Sequence, residues 1–216
     1  MSDLTDLVRR KDALLDAMLP DVPFDGWSMA TLKAAGRAIG LEPDEALRLF
    51  PEGPGEAALW LDDWADRRML AALEEIDLPA LKVRERVAVA VEARLAALAP
   101  HREAVRRAIA LKATPFGAVR AAQIIYRTVD AIWYAAGDAS TDFNFYSKRS
   151  LLAAVYGPTV LYWLNDRSDG AAETREFLAR RLADVLKLPQ LGQRLRKSAG
   201  RAAAPFRLVG RAAFKN

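Results

Sequence analysis

The chain has 216 residues, 42 of them alanine, with 32 Lys and Arg against 28 Asp and Glu. That length buries a sizeable core. The absence of cysteine excludes a disulfide framework, a zinc thiolate site and thiol catalysis, and a single histidine, His101, excludes a His-rich metal site. The formal charge of +4 is unevenly placed, because residues 185–216 hold eight Lys or Arg and no acid.

Helical periodicity runs through almost every segment, broken at Pro and Gly, and no stretch alternates with a period of two. A first helix is predicted over Thr5–Leu19 and ends at Pro20, Pro23 and Gly26. Ser28 caps a second over 29–39, and Gly40 stops it. A short third begins at Pro43 and ends near Phe50. Longer helices follow over 56–76, 80–98, 101–112, 115–136, 146–165 and 171–187, then an interrupted one over 189–214. The expectation is an all-α chain of about ten helices. It comprises a three-helix head (1–52), a helical bundle (53–187) and a basic amphipathic tail (188–216).

The head has the build of a helix-turn-helix over Gly26 to Phe50. Ala34 and Ala35 allow close helix contact, Gly40 a tight turn, and Ala46, Leu47 and Phe50 anchor the following helix. The layout resembles the head of TetR-type regulators. The chemistry of DNA binding is missing, however, since base and phosphate contacts need cations. From Phe24 to Trp60 stand six acids (Asp25, Glu42, Asp44, Glu45, Glu52, Glu56) against three bases (Lys33, Arg37, Arg48). The expected reading is a degenerate head that binds no nucleic acid.

The bundle carries Trp60 and Trp64 one turn apart, and then Ile124, Ile125, Trp133 and Tyr156. Two readings fit: ordinary core packing, or an apolar cavity with no titratable group in its wall, suited to a hydrophobic ligand. The densest motif runs from Tyr134 to Arg149. Phe143, Phe145 and Tyr146 fall within four positions, so at 3.6 residues per turn at least one is exposed. An exposed aromatic beside Arg149 is the composition of a protein-binding hot spot; the alternative is a helix start packed on its neighbour.

The stretch from Gly137 to Tyr156, GDASTDFNFYSKRSLLAAVY, closely resembles the signature of the Coq-nine family of accessory proteins of ubiquinone biosynthesis. Gly26-Trp27, Ala35-Gly36, Gly40-Leu41, the run Val91–Leu95 and Trp133–Gly137 fit as well, over roughly residues 10 to 187. The resemblance implies a TetR-like fold that has given up DNA binding. It implies an interior pocket for isoprenoid lipids, here assigned to Trp60, Trp64, Ile124, Ile125, Trp133 and Tyr156, and partnership with the di-iron demethoxyubiquinone hydroxylase. Asp142, Phe145, Tyr146 and Arg149 inherit the partner patch, with Phe145 where the family commonly shows Trp.

In the tail, Leu188, Leu191, Leu195, Ala199, Ala202, Phe206, Val209 and Ala213 form one apolar stripe at helical spacing. Arg194, Arg196, Lys197, Arg201, Arg207 and Arg211 sit between them. This composition suits an anionic membrane surface, with Leu191, Arg194, Leu195, Arg196, Lys197, Arg201, Phe206 and Val209 as the contact residues.

No catalytic constellation stands out. Asp62-Asp63 and Glu74-Glu75 are adjacent on helices, diverge by about 100°, and read as solvated faces. The expected function is a non-enzymatic protein without a cofactor that binds an isoprenoid quinone or phospholipid and presents it to a ubiquinone-pathway hydroxylase. A homodimer through the last two long bundle helices is expected. The first 18 residues are charged throughout and too acidic for a transit peptide, which points to a bacterial cytoplasmic protein peripheral on the inner membrane. The alternative function is a TetR-type ligand-responsive transcriptional regulator.

Overall fold

The computed structural model describes residues 2–113, 115–138 and 143–185. Among them all regular structure is helical. In chain order the α-helices are α1 (Ser2–Met18), α2 (Val22–Asp25), α3 (Met29–Ala38), α4 (Pro43–Leu49), α5 (Pro54–Glu74), α6 (Val83–Leu98), α7 (Arg102–Lys112), α8 (Pro115–Ala135) and α9 (Phe143–Asn165). A tenth, α10, covers residues 172–185. The periodic segments between residues 2 and 185 therefore became helices within a few residues of their predicted ends, and the segment predicted over 189–214 lies outside the described residues. The exception is α2, a single turn where Pro20, Pro23 and Gly26 suggested only a break. Proline at a first-turn position costs no hydrogen bond, so Pro23 supports the turn rather than preventing it. No described helix is long and apolar enough to cross a membrane. The tail stripe from Leu188 onward, with every expected membrane-contact residue, lies outside the described residues.

Helices α1, α3 and α4 make the head. Ser28 caps α3 by accepting from the Thr31 backbone N–H at 3.1 Å. Gly40, at φ +76°, makes the turn into α4. The close approach of α3 to α4 occurs at Gly36, where an added Cβ would lie 3.0 Å from the Ala46 Cβ. Ala35 is buried beside it, whereas Ala34 is only half-buried.

Head and bundle share one continuous core that runs from Leu14 to Leu182. Two indoles on α5 tie it to α1: Trp60 Nε1 donates to Asp12 and Trp64 Nε1 to Asp16, each at 2.7 Å. Arg67 joins Asp12, and the Arg68 guanidinium lies 3.6 Å from the Trp64 ring centre. From α7, the Ala104 carbonyl accepts from Trp27 Nε1 at 3.1 Å, and Arg107 donates to the Pro23 carbonyl at 2.8 Å. In the bundle α5 packs on α6 and α8 on α9. Gly137, at φ +85°, ends α8 in a left-handed turn whose Asp138 N–H returns to the Trp133 carbonyl at 3.0 Å.

Candidate functional site

A cavity of about 550 Å³ lies between α5, α6, α7, α8 and α9. Its hollowness has a local cause. The face of α8 that meets it carries Ala118, Ala121 and Ala122, whose methyl groups cannot reach across to α7 and α9. On α9 the wall is Gly157-Pro158; nothing lies within 4 Å of where a Gly157 Cβ would stand. Pro158 also removes one backbone donor inside that helix. Leu98, Val105, Ile109, Ile124, Ile125 and Val160 complete an apolar interior. The amino-terminal half of α8 is loosely packed, with Val119 at 62% exposure. The ion pairs Arg120–Glu52 (2.7 Å) and, beyond the middle of the helix, Arg127–Asp63 (2.7 Å) tie α8 to the protein at the surface.

One part of the wall is polar. Arg94 on α6 is 2% exposed and is held from three sides. Its Nε donates to Asp66 at 2.6 Å, one Nη donates to the Tyr156 hydroxyl, and the other to Asp62 at 3.1 Å. Thr128 donates to Asp66 at 3.0 Å, and Lys112 on α7 donates to Asp62. Burial disfavours the Arg94 cation, but the surrounding Tyr156, Asp66 and Asp62 outweigh it and hold the guanidinium above its ordinary range. Burial pushes the Tyr156 hydroxyl well above the usual tyrosine range, so it stays a neutral donor. The expectation of a wall without titratable groups is therefore corrected. So is the reading of Asp62-Asp63 as a solvated face: Asp62 belongs to this network, and half-burial raises the Asp63 carboxyl despite Arg127. Sequence reasoning missed Arg94 and Asp66. The available signal was Asp62 and Asp66 four apart on α5, with Arg94 set between Ala90, Val91, Leu95 and Leu98 on the apolar face of α6.

Of the six residues assigned to a lipid pocket, Ile124, Ile125 and Tyr156 line this cavity. Trp60 and Trp64 face α1 instead, because Asp12 and Asp16 there accept their indole protons; Trp64 also meets His101 edge-on at 5.7 Å. Trp133 is buried at the α8–α9 corner, donating to the Lys148 carbonyl at 3.1 Å. In the partner patch, Tyr146 is 63% exposed, and Tyr134, at 80%, is a second exposed aromatic on the same corner. Arg149 is buried rather than presented. Its guanidinium pairs with Asp130 and Asp138 and locks the corner together. Asp142 and the Phe145 side chain lie outside the described residues.

The COQ9 family model matches residues 118–189. Curated relatives match far more of the chain. The human mitochondrial ubiquinone biosynthesis protein COQ9 is 31% identical over 88% of this chain and 61% of its own length. The Drosophila melanogaster protein of the same name is 31% identical over 86% and 57%. The chain belongs to the COQ9 family. It spans about three fifths of the length of the curated relatives it matches. Among solved structures, the TetR transcriptional regulator from Nitrosomonas europaea is 26% identical with a TM-score of 0.69, covering 82% of this chain and 98% of that one. The fold of this COQ9-family chain is thus TetR-like, as its head suggested. The bacterial cytoplasmic location is corrected, because the relatives are named mitochondrial proteins. The composition of the first 18 residues is no guide to location in a chain that spans only part of its relatives' length.

Proposed function

We propose that this COQ9-family protein acts in ubiquinone biosynthesis as a non-enzymatic lipid carrier. Its bundle cavity takes up an isoprenoid quinone intermediate or a phospholipid. Its exposed α8–α9 corner then docks a ubiquinone-pathway hydroxylase such as the demethoxyubiquinone hydroxylase. The observation that carries the reading is the cavity. It has about 550 Å³ of space with an almost wholly aliphatic wall, the size and character of a small-molecule site. A filled core would have needed larger side chains than the alanines of α8. The tail adds a cationic, apolar-striped segment suited to an anionic membrane surface, where such a ligand resides. The names of the relatives place them in the same pathway. Native extraction followed by lipid mass spectrometry tests the reading: co-purified isoprenoid or phospholipid supports it, and recovery of neither overturns it.

The regulator reading draws on the TetR likeness, but the charge of the head opposes it. The first turn of α4 carries Asp44 and Glu45 behind Glu42, so the helix meant to enter a groove approaches phosphates with carboxylates. Selection of bound DNA at low salt should enrich no sequence. A homodimer through α9 and α10 belongs to the proposal as well, and sedimentation of the full chain measures it.

A further inference from the structure

A second cleft, also of about 550 Å³, opens on the opposite face of α6 and shares no residue with the bundle cavity. It lies between α6, the end of α9 and the first turns of α10. Its floor is Trp163, Leu95 and Leu178, all buried. Its hollowness again comes from small side chains. Ala93, Ala96 and Ala99 follow one another at three-residue spacing on α6, and Ala96 and Ala99 leave the cleft open to solvent along one side.

Two guanidiniums stand in the wall. Arg102 donates one Nη proton to the Asp166 carbonyl at the end of α9, and lies 4.7 Å from the Trp163 ring centre. Arg175 donates one Nη proton to the Gly170 carbonyl. Each guanidinium has five N–H groups, and neither has a carboxylate within ion-pair distance among the described residues. One acid, Glu92, lines the cleft, and burial raises its carboxyl against the opposing pull of Arg175. The nearby Asp166 carboxylate is already spent on donors from Ser168 and Thr174. The bundle cavity differs in charge, because Arg94 and Lys112 there are matched by Asp66 and Asp62. Here two cations face one acid, and the cations hold the unused hydrogen-bonding capacity.

We propose that this cleft is a second ligand site, which takes a single-chain amphiphile with an anionic head, a long-chain carboxylate or an alkyl phosphate, its hydrocarbon on Trp163, Leu95 and Leu178 and its head on Arg102 and Arg175. Guanidinium donors suit both heads, since their paired N–H groups match two oxygens of a carboxylate or phosphate. An alcohol would leave the excess charge unanswered, and a cationic head would add to it. The site stands independently of the carrier reading.

Four probes of equal chain length test it by calorimetric titration of the full chain: decanoate, decyl phosphate, decanol and decyltrimethylammonium, each below its micellar concentration. One of the two anions should bind most tightly, and which of them does so assigns the head as carboxylate or phosphate. Arg175→Gln should weaken that anion about two- to fivefold, the worth of an exposed ion pair, and leave decanol unchanged. Ala96→Trp, at an exposed position of the wall, should fill the cleft and abolish the preference for the anion. Ala121→Trp, which fills the bundle cavity instead, should preserve it. If Ala96→Trp proves unfolded by circular dichroism, Arg175→Gln and Ala121→Trp decide. Equal binding of the anions and decanol, an anion affinity that Arg175→Gln leaves unchanged, or an anion preference lost in Ala121→Trp would overturn the site. So would failure of both anions to bind the wild type. Absence of a co-purified lipid, which overturns the carrier reading, leaves these outcomes untouched.

Discussion

Replacing Arg94 by Met should cost more stability than any single substitution on the protein surface. Arg94 is 2% exposed, and its guanidinium is shared among Asp66 at 2.6 Å, Asp62 at 3.1 Å and the Tyr156 hydroxyl. Removing it leaves two carboxylates with unequal compensation. Asp62 keeps Lys112, so its charge is still answered. Asp66, itself buried, keeps only the Thr128 hydroxyl. The loss therefore concentrates on Asp66, and breaking one side of a buried pair costs about 3–5 kcal/mol. Adding Asp66→Asn removes the stranded charge while its amide oxygen can still accept from Thr128. The double variant should recover about 2 kcal/mol of that loss, because what remains is a lost pair rather than an unpaired buried ion. Urea unfolding followed by circular dichroism measures each variant. In a chain of this size the single variant should melt roughly 6–20 °C below wild type. A loss under about 1 kcal/mol, or a double variant no more stable than the single, would show that Arg94 does not hold a buried charge network.

Filling the cavity with Ala121→Trp should abolish lipid recovery in the mass-spectrometric experiment while the protein still melts cooperatively, since the indole replaces empty space. Asp166→Ala should cost about 2–3 kcal/mol, because the carboxylate receives hydrogen bonds from Ser168 and from Thr174 in the first turn of α10. Burial would raise the Asp166 carboxyl, but those hydrogen bonds outweigh it and hold it well below the usual carboxylate range. A depressed folded value means the contribution is complete above the unfolded value near pH 4 and fades as the pH falls below it. A stability profile of wild type against Asp166→Asn, converging toward strong acid, checks this. Tyr146→Ala should leave the melting temperature within about 2 °C of wild type, as expected of an exposed site, yet weaken capture of the hydroxylase in a pull-down. Unchanged capture would remove Tyr146 from the docking surface.

Helix positions were legible because period and breakers are local properties; Ser28, Gly40 and Gly137 punctuate the chain where their chemistry requires. The cavity was legible only as one of two options. Ala118, Ala121 and Ala122 read the same whether a neighbouring helix closes on them or stands off, and that depends on the distance between α8 and α9. The tryptophans misled for a related reason. Trp60 and Trp64 are the largest apolar side chains on α5, but each carries a proton that needs an acceptor when buried. Asp12 and Asp16, four apart on α1, match their spacing and draw them away from the cavity. Arg149 misled in the opposite sense. Beside three aromatics it resembles a recognition residue, and only the fold brings Asp130 and Asp138 against it.

The two most expensive features of the bundle meet in one place. A void beside small side chains forgoes packing that, in a filled core, stabilises by about 2–5 kcal/mol per large side chain. A buried ion cluster is seldom better than hydrophobic residues of the same volume. Here Arg94 and Tyr156 belong both to the cluster and to the wall of the void. A sequence selected for stability alone would fill that space with leucine and dispense with Arg94, Asp62 and Asp66 together. That it does neither fits a chamber that must stay open, with a polar end that must stay polar.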